Sequence, residues 1–547
     1  MKKMNLLKKL VAFIATMFAV GVFGTLNVSA TSNTDTATLK ITNIEGNPTV
    51  KLYKIGTGEY NANNDSFIKF KYENGVSLTE TGPTSQEITK IANDINKGII
   101  SPTLVNTGNA TNGTYTYQAT GAGVYIAILT GATDGRTYNP VLLAASYNGE
   151  GILKGGEVSS KANYLYGQTT VAKSTLPSIK KEVSNTTKDG DKDTASVGQE
   201  LTYKLTVQLP SYSENASNKT VFVSDEMSEG LTFDYTSLTV TMGSKIGKID
   251  ITTNSVSIDG KKIANVAKTA NGFRLNFDYD NLDSTTSLQV TYKAVVNEKA
   301  VVGSTGNTNT ANYYYASNPT QGETHKTTDE PAEGNGLTKK EDSRKVYTYR
   351  IAFKKTGQNK TALADAVFGI YADQNATRLI DIVKTNNKGY ATSNQVGAGT
   401  YYIKEMKAPK GYSLNTKVYS VEAKWSSVTA STVVTRTETI YTTNESEKAP
   451  GSSSVGWLKN GNYYKQKIDG AQEAYIKSTT GSTATTSTVE LNKGEGTGTA
   501  VLTTDIPNTK LGELPSTGGI GTLLFTMIGV VVMAATAGIY VLKHKKS

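Results

Sequence analysis

Three short runs in the middle of the chain each set a reactive side chain on a face that strand alternation turns inward. In residues 177–183 the inward set is Ile179, Lys181 and Val183. In residues 221–225 it is Val221, Val223 and Asp225, and in residues 309–315 it is Asn309, Ala311, Tyr313 and Tyr315. A second trio follows in the same order: Lys355 shares a face with Ile351 and Phe353, Glu405 with Tyr401 and Ile403, and Asn508 with Leu502, Thr504 and Ile506. Burying a lone ammonium or carboxylate costs several kcal/mol unless it is paired or neutralised. Desolvation lowers a lysine pKa and raises a carboxylate pKa, so such an amine becomes a nucleophile and such an acid a proton donor. Beside an asparagine amide, the chemistry available is a Lys–Asn isopeptide bond with loss of ammonia: Lys181 to Asn309 with Asp225 as the acid, and Lys355 to Asn508 with Glu405. Taken singly, each residue reads equally well as a strand-edge or turn residue; two trios in one order do not. Lys180 and Asn312 stand next to the second-unit pair and remain open, with alternation favouring Lys181 and Asn309.

The elements that must hold these groups are β-strands. The composition is rich in Tyr (31) and Gly (51), with 37% hydrophobic and 19% charged residues, as expected of a long all-β protein. We divide residues 31–510 into three units: 31–173, 174–344 and 345–510. The first contains one helical period, Ser85–Asn96, with Ile88, Ile91 and Ile95 on one face. The second holds a clean strand in which Leu201, Tyr203, Leu205 and Val207 alternate with polar residues, and the trio places Lys181 on its first strand and Asn309 on its last. The third includes residues 426–498, low in aliphatics, read as strands and loops inserted before the final strand. Polar linkers are expected at residues 168–174 and 327–342. Short strands with regular turn signals predict an all-β chain of β-sandwiches, one to each unit.

Composition excludes several functions. With 0 Cys and 2 His (His325 and His544), cysteine catalysis, thiolate zinc sites and disulfides are ruled out, and a Ser-His-Asp device is improbable. No cofactor is expected. Asp283 and Ser287 share the spacing of a metal-adhesion motif without its α/β surroundings, and no metal site is assigned. Residues 1–30 carry a basic start, an apolar run and Val28-Ser29-Ala30, which is the pattern of a secretory signal. Residues 520–542 form an uncharged stretch long enough to cross a bilayer, followed by Lys543, Lys545 and Lys546. Removing both ends takes the net charge from +10 to about +3, so nucleic acid is not an expected partner.

Ahead of that stretch stands Leu514-Pro515-Ser516-Thr517-Gly518, which resembles the cell-wall sorting signal of Gram-positive bacteria. The resemblance implies sortase cleavage between Thr517 and Gly518. Residues 401–412 look like the E-box of collagen-adhesin B-type domains, with Glu405 as its catalytic acid; Ile506-Pro507-Asn508 matches that family's closing strand. The run Asp225–Phe233 and the Asn309–Tyr313 strand resemble a pilin domain. Together they resemble the sortase-assembled backbone pilins. That resemblance implies three tandem immunoglobulin-like, collagen-adhesin-like β-sandwich domains in a covalently polymerised, wall-anchored surface fibre rather than an enzyme. By position it implies Lys173 as the lysine joined to Thr517 of the next subunit. Ser174 replaces the asparagine that closes a first-domain bond in some relatives, so none is expected there. The implied partners are pilus-specific and housekeeping sortases, other copies of the chain and peptidoglycan, with minor pilins and host-surface ligands as further ones such a fibre admits. The alternative reading is a monomeric wall-anchored adhesin that grips a host ligand.

Overall fold

The computed structural model describes residues 31–512 except 65, 148–152, 154–164, 426–427, 431–433, 437–438, 450, 478–481, 485–490 and 494–497, together with residues 530, 533 and 536. The signal segment (1–30), the sorting pentapeptide Leu514–Gly518 and most of the apolar span lie outside the described residues.

The first domain packs two sheets. Thr49–Tyr60 sits centrally in one, bonded to Phe67–Tyr72, Thr103–Asn109 and Gly123–Thr130, and the sheet continues through Val141–Ser146. Thr36–Thr42 lies between Tyr115–Thr120 and Thr169–Val171 in the other. Ser85–Asn96 is helical as its period predicts. Thr84 caps it by accepting from the Glu87 N–H while the Glu87 carboxylate accepts from the Thr84 N–H, satisfying two otherwise orphaned donors.

In the second domain, Glu200–Gln208 buries Leu201, Tyr203, Leu205 and Val207 completely, because every second side chain faces the core. Ser178–Ser184 and Leu288–Val296 flank it, and Leu231–Met242 follows. Opposite stand Gly272–Phe277, Val221–Met227, Asn307–Ala316 and Leu337–Tyr347, each paired with the next. One apolar cluster, including Leu205, Val223, Phe273, Val290 and Tyr313, fills the space between.

The first expected linker is largely strand, and the second becomes strand from Leu337 onward. Thr169–Val171 pairs in parallel with Thr36–Thr42, and Ser174–Thr175 pairs with Thr137–Tyr138. Leu337–Tyr347 pairs with Asn307–Ala316 over ten residues and runs through the boundary placed between 344 and 345. Its side chains are mostly polar and half-exposed, so backbone hydrogen bonds rather than burial make it a strand, and no apolar alternation announces it. Asn309 therefore lies on the penultimate strand of the domain, not the last.

In the third domain, Arg350–Thr356 lies beside Tyr390–Thr392 and runs parallel to both Thr499–Val501 and Ile506–Pro507. Gly399–Lys407 belongs to the opposing sheet with Val367–Tyr371, Leu379–Lys384 and Val418–Ala423. The expected single face Leu502–Asn508 is broken by a bend at Thr503 and Thr504. Thr504 is exposed, and only Ile506 and Asn508 are buried. Within residues 426–498, the described strands Tyr441–Thr442, Gly456–Lys459, Asn462–Tyr464 and Gln472–Ile476 form a small sheet with its own core of Ile382, Ala449, Val455 and Ile476.

Hydrogen bonds to backbone carbonyls join the domains. Tyr315 donates to the Gly135 carbonyl (2.7 Å), and Asn96 Nδ2 donates to the Thr320 carbonyl (3.0 Å). Val197 N donates to the Gln395 carbonyl (3.0 Å), while Gln395 Nε2 donates to those of Glu298 and Ala300 (2.8 Å each).

Candidate functional site

Two fully buried lysines mark the candidate sites. Lys181 and Lys355 are each 0% exposed, although a lysine almost never loses all contact with water unless it is paired.

Lys181 projects from Ser178–Ser184 into the second-domain core. Its Nζ donates to Asp225 Oδ2 and to the Tyr292 hydroxyl (2.8 Å). Tyr292 donates to Asp225 Oδ2 (2.6 Å), and Asn309 Nδ2 donates to the Tyr292 oxygen (3.2 Å). Asp225 and Asn309 reach one face because Asp225 pairs with Ala311 and Met227 with Asn309, which makes them diagonal neighbours on adjacent strands. Lys181 and Tyr292 come from the other sheet, so the group bridges the sandwich. The Tyr203 and Tyr292 rings stack at 5.6 Å, and the ammonium lies 5.3 Å and 5.6 Å from their centroids. Desolvation pushes the Lys181 pKa down, against the pull of Asp225. Desolvation likewise pushes Asp225 up, opposed by Lys181, Tyr292 and Asn309. Both shifts favour the neutral forms. Asp225 Oδ1 and Asn309 Oδ1 are buried without a hydrogen-bond partner.

Lys355 meets its partners differently. Its Nζ donates directly to Asn508 Oδ1 and lies 3.4 Å from Glu405 Oε1. Asn508 Nδ2 donates to the same Glu405 oxygen (2.9 Å), and the Asn415 N–H holds Oε2 at 2.7 Å. Parallel pairing of Lys355 with Ile506, and the Asn508 N–H bonded to the Thr356 carbonyl (2.9 Å), bring the amide alongside the lysine. Burial lowers the Lys355 pKa, opposed by Glu405.

The structure thus brings together both trios read from the alternation. It places the two neighbours elsewhere. Lys180 is exposed and paired with Glu182 at 2.7 Å, and Asn312 donates to Glu330 at 3.2 Å. Lys173 is exposed between buried Ala172 and the paired Ser174, so a pinned backbone presents it rather than a loose linker. Asp283 caps its own turn by accepting from the Thr285 N–H (3.0 Å). Among the described residues of the first domain no lysine is buried; half-buried Lys54 comes nearest.

Sequence reasoning missed Tyr292, whose inward position between Val290 and Ala294 reads as ordinary core. It also missed two glycines. A Cβ on Gly272 would meet the Asp225 carbonyl oxygen at 1.9 Å, and one on Gly389 would meet that of Lys355 at 2.4 Å. Gly389 also has φ +78°, so it serves both the turn and the close approach.

Comparison with known proteins assigns these elements. Residues 34–174 match a T6 antigen Ig-like domain, 197–319 the Cna-B-like domain of Gram-positive pilin backbone subunit 2, 349–439 a prealbumin-like fold domain, and 506–547 an LPXTG cell-wall anchor motif. The trypsin-resistant surface T6 protein of Streptococcus pyogenes serotype M6 is 55% identical over 544 residues, covering 98% of this chain and 100% of that protein. The chain belongs to the Gram-positive backbone pilins. The solved T6 backbone pilin of the same serotype, described as a modular three-domain structure decorated with variable loops and extensions, is 55% identical. It superposes with a TM-score of 0.78, covering 87% of this chain and 99% of that one. This pilin is accordingly a sortase-assembled major subunit of a surface pilus anchored in the cell wall.

Proposed function

We propose that this backbone pilin is stiffened by two self-made bonds, Lys181–Asn309 and Lys355–Asn508, and is joined head to tail through Lys173 and Thr517. The observation that carries this reading is the contact of a fully buried Lys355 Nζ with the Asn508 amide oxygen while Glu405 holds the amide nitrogen. In each domain the neutral amine attacks the asparagine Cγ. A proton passes from Nζ to Nδ2, and ammonia leaves; in the second domain a protonated Asp225 donates to the amide oxygen, whereas in the third Glu405 Oε1 lies against both Lys355 Nζ and Asn508 Nδ2, the two nitrogens between which the proton moves. In the second domain the desolvation that raises the Asp225 pKa supports a protonated acid. The chain acts on itself and on no outside substrate.

Lys173 suits a sortase because its side chain is exposed while its neighbours hold the backbone in place. Thr517 of one subunit would join Lys173 of the next. A heterologous contact of this kind does not close and so builds a filament. Pilus-specific and housekeeping sortases and peptidoglycan are the partners in this scheme. Blotting wall extracts tests it: a ladder of covalent high-mass species is expected, and it should vanish in Lys173→Ala. A ladder that persists in that variant would overturn the assignment of Lys173.

A further inference from the structure

The second-domain group contains a member for which the described residues of the third domain hold no counterpart. The Tyr292 hydroxyl is fully buried and lies 2.8 Å from Lys181 Nζ, 2.6 Å from Asp225 Oδ2 and 3.2 Å from Asn309 Nδ2. It therefore touches the attacking nitrogen, the acid and the nitrogen that must leave. Its ring has little freedom. It stacks on Tyr203 at 14° and takes ring contacts from Phe233 (5.8 Å) and Phe273 (5.0 Å).

We propose that Tyr292 is a catalytic residue of the second-domain crosslink, relaying the proton from Lys181 Nζ to Asn309 Nδ2. This rests on the reading that Lys181 and Asn309 condense. At rest the phenol oxygen accepts from both nitrogens and its O–H points to Asp225. When Nζ adds to Cγ, the new N–C bond leaves a positive nitrogen at Nζ, and Nδ2 regains the lone pair it had shared with the carbonyl. The hydroxyl then turns toward Nδ2 and gives up its proton while taking one from Nζ. The Cγ–Nδ2 bond breaks, ammonia departs and the phenol is restored. One C–N bond forms, one breaks, and nothing is oxidised. Burial holds the tyrosine pKa well above its ordinary value, so transfer is concerted rather than through a free phenolate. In the third domain no such intermediary is needed, because Glu405 Oε1 itself holds the leaving nitrogen of Asn508 at 2.9 Å.

The test uses the full chain, as wild type, Tyr292→Phe and Tyr203→Phe, with the crosslinks followed by intact mass and peptide mapping over time after synthesis. Tyr203 is the matched control: it is in the same ring stack, and its hydroxyl has no hydrogen-bond partner. Wild type and Tyr203→Phe should carry both bonds. Tyr292→Phe should form the Lys181–Asn309 bond about 10²-fold more slowly, while Lys355–Asn508 forms normally in the same molecule. Equal rates in the two phenylalanine variants would overturn the relay and leave the crosslink reading standing. A wild-type chain without the Lys181–Asn309 bond would overturn that reading, and the relay with it. Should Tyr292→Phe lose its second-domain unfolding transition, fluorotyrosine at position 292 is read instead: a changed rate supports the relay, and an unchanged rate overturns it.

Discussion

In the second domain, Lys181 is held by an aspartate and a tyrosine, and Asn309 donates its hydrogen bond to the tyrosine. In the third, Lys355 already touches the amide it would attack, and a single glutamate holds both nitrogens. The difference follows from side-chain reach. Glu405 is one methylene longer than Asp225 and crosses from the opposing sheet to Asn508 directly, with the Asn415 N–H steadying its far oxygen. Asp225 shares a sheet with Asn309, and the other side of the sandwich is filled by Tyr292. The same bond can thus be prepared by one long acid or by a short acid and a phenol. The two sites also differ in what they leave outside. Asn508 follows the last strand of its domain, whereas Leu337–Tyr347 comes after Asn309.

The strongest way to break the comparison is to remove each acid. Glu405→Ala and Asp225→Ala should each retain one ammonia in the intact mass, and the double variant two. Each single variant should lose roughly 4–5 kcal/mol of loop restriction in its own domain, plus about 3–5 kcal/mol for a stranded lysine, read by thermal unfolding. An unchanged mass in either would remove that acid from the scheme.

A mechanical measurement sharpens the topological difference. Pulled between Lys173 and Thr517, the chain should bypass both crosslinked loops and lengthen only through the stretch between Asn309 and Lys355. That stretch contains the antiparallel pair Asn307–Ala316 and Leu337–Tyr347, loaded at its open end. About 45 residues at 3.3–3.6 Å each set the limit near 150 Å. A single-molecule trace showing much longer extension from the third domain would place its crosslink elsewhere.

Calorimetry ranks the domains more gently. The first domain, with no buried lysine among its described residues, should give the lowest transition and the first protease cuts. Glu405→Ala should bring the third-domain transition down toward it. The smallest effect is expected from Asn415→Ala, which removes the Nδ2 bonds to the Pro507 carbonyl (2.8 Å) and the Tyr419 hydroxyl (3.0 Å) and the Lys417 N–H bond to Oδ1 (3.0 Å) but keeps the N–H on Glu405. It should cost about 1–3 kcal/mol and leave the crosslink formed.

Much of both sites was legible because a strand has a period of two. A charged residue in step with Ile, Val and Tyr must point where they point, so Lys181, Asp225, Lys355 and Glu405 stood out against their neighbours. The choice of Lys181 over Lys180 rested on that period alone, and the exposed Lys180–Glu182 pair is what an outward neighbour should show. Tyr292 gave no such signal, since an inward tyrosine is ordinary core until its hydroxyl is seen among three partners. Residues 337–342 read as linker because their side chains are polar; what makes Leu337–Tyr347 a strand is its pairing with Asn307–Ala316. The alternation drawn through Leu502–Asn508 crossed a bend it could not register.

By itself, the chain's order of residues determined the β-class, the paired trios and the anchoring segment. These depend on period, residue chemistry and local length, which are written along one dimension. Register, the bend before Ile506, the strand beyond Asn309 and the hydroxyl that joins Lys181 to Asn309 were decided only by the packed sheets. Each is a meeting between residues far apart in the chain, and their separation is set by the pairing of whole strands.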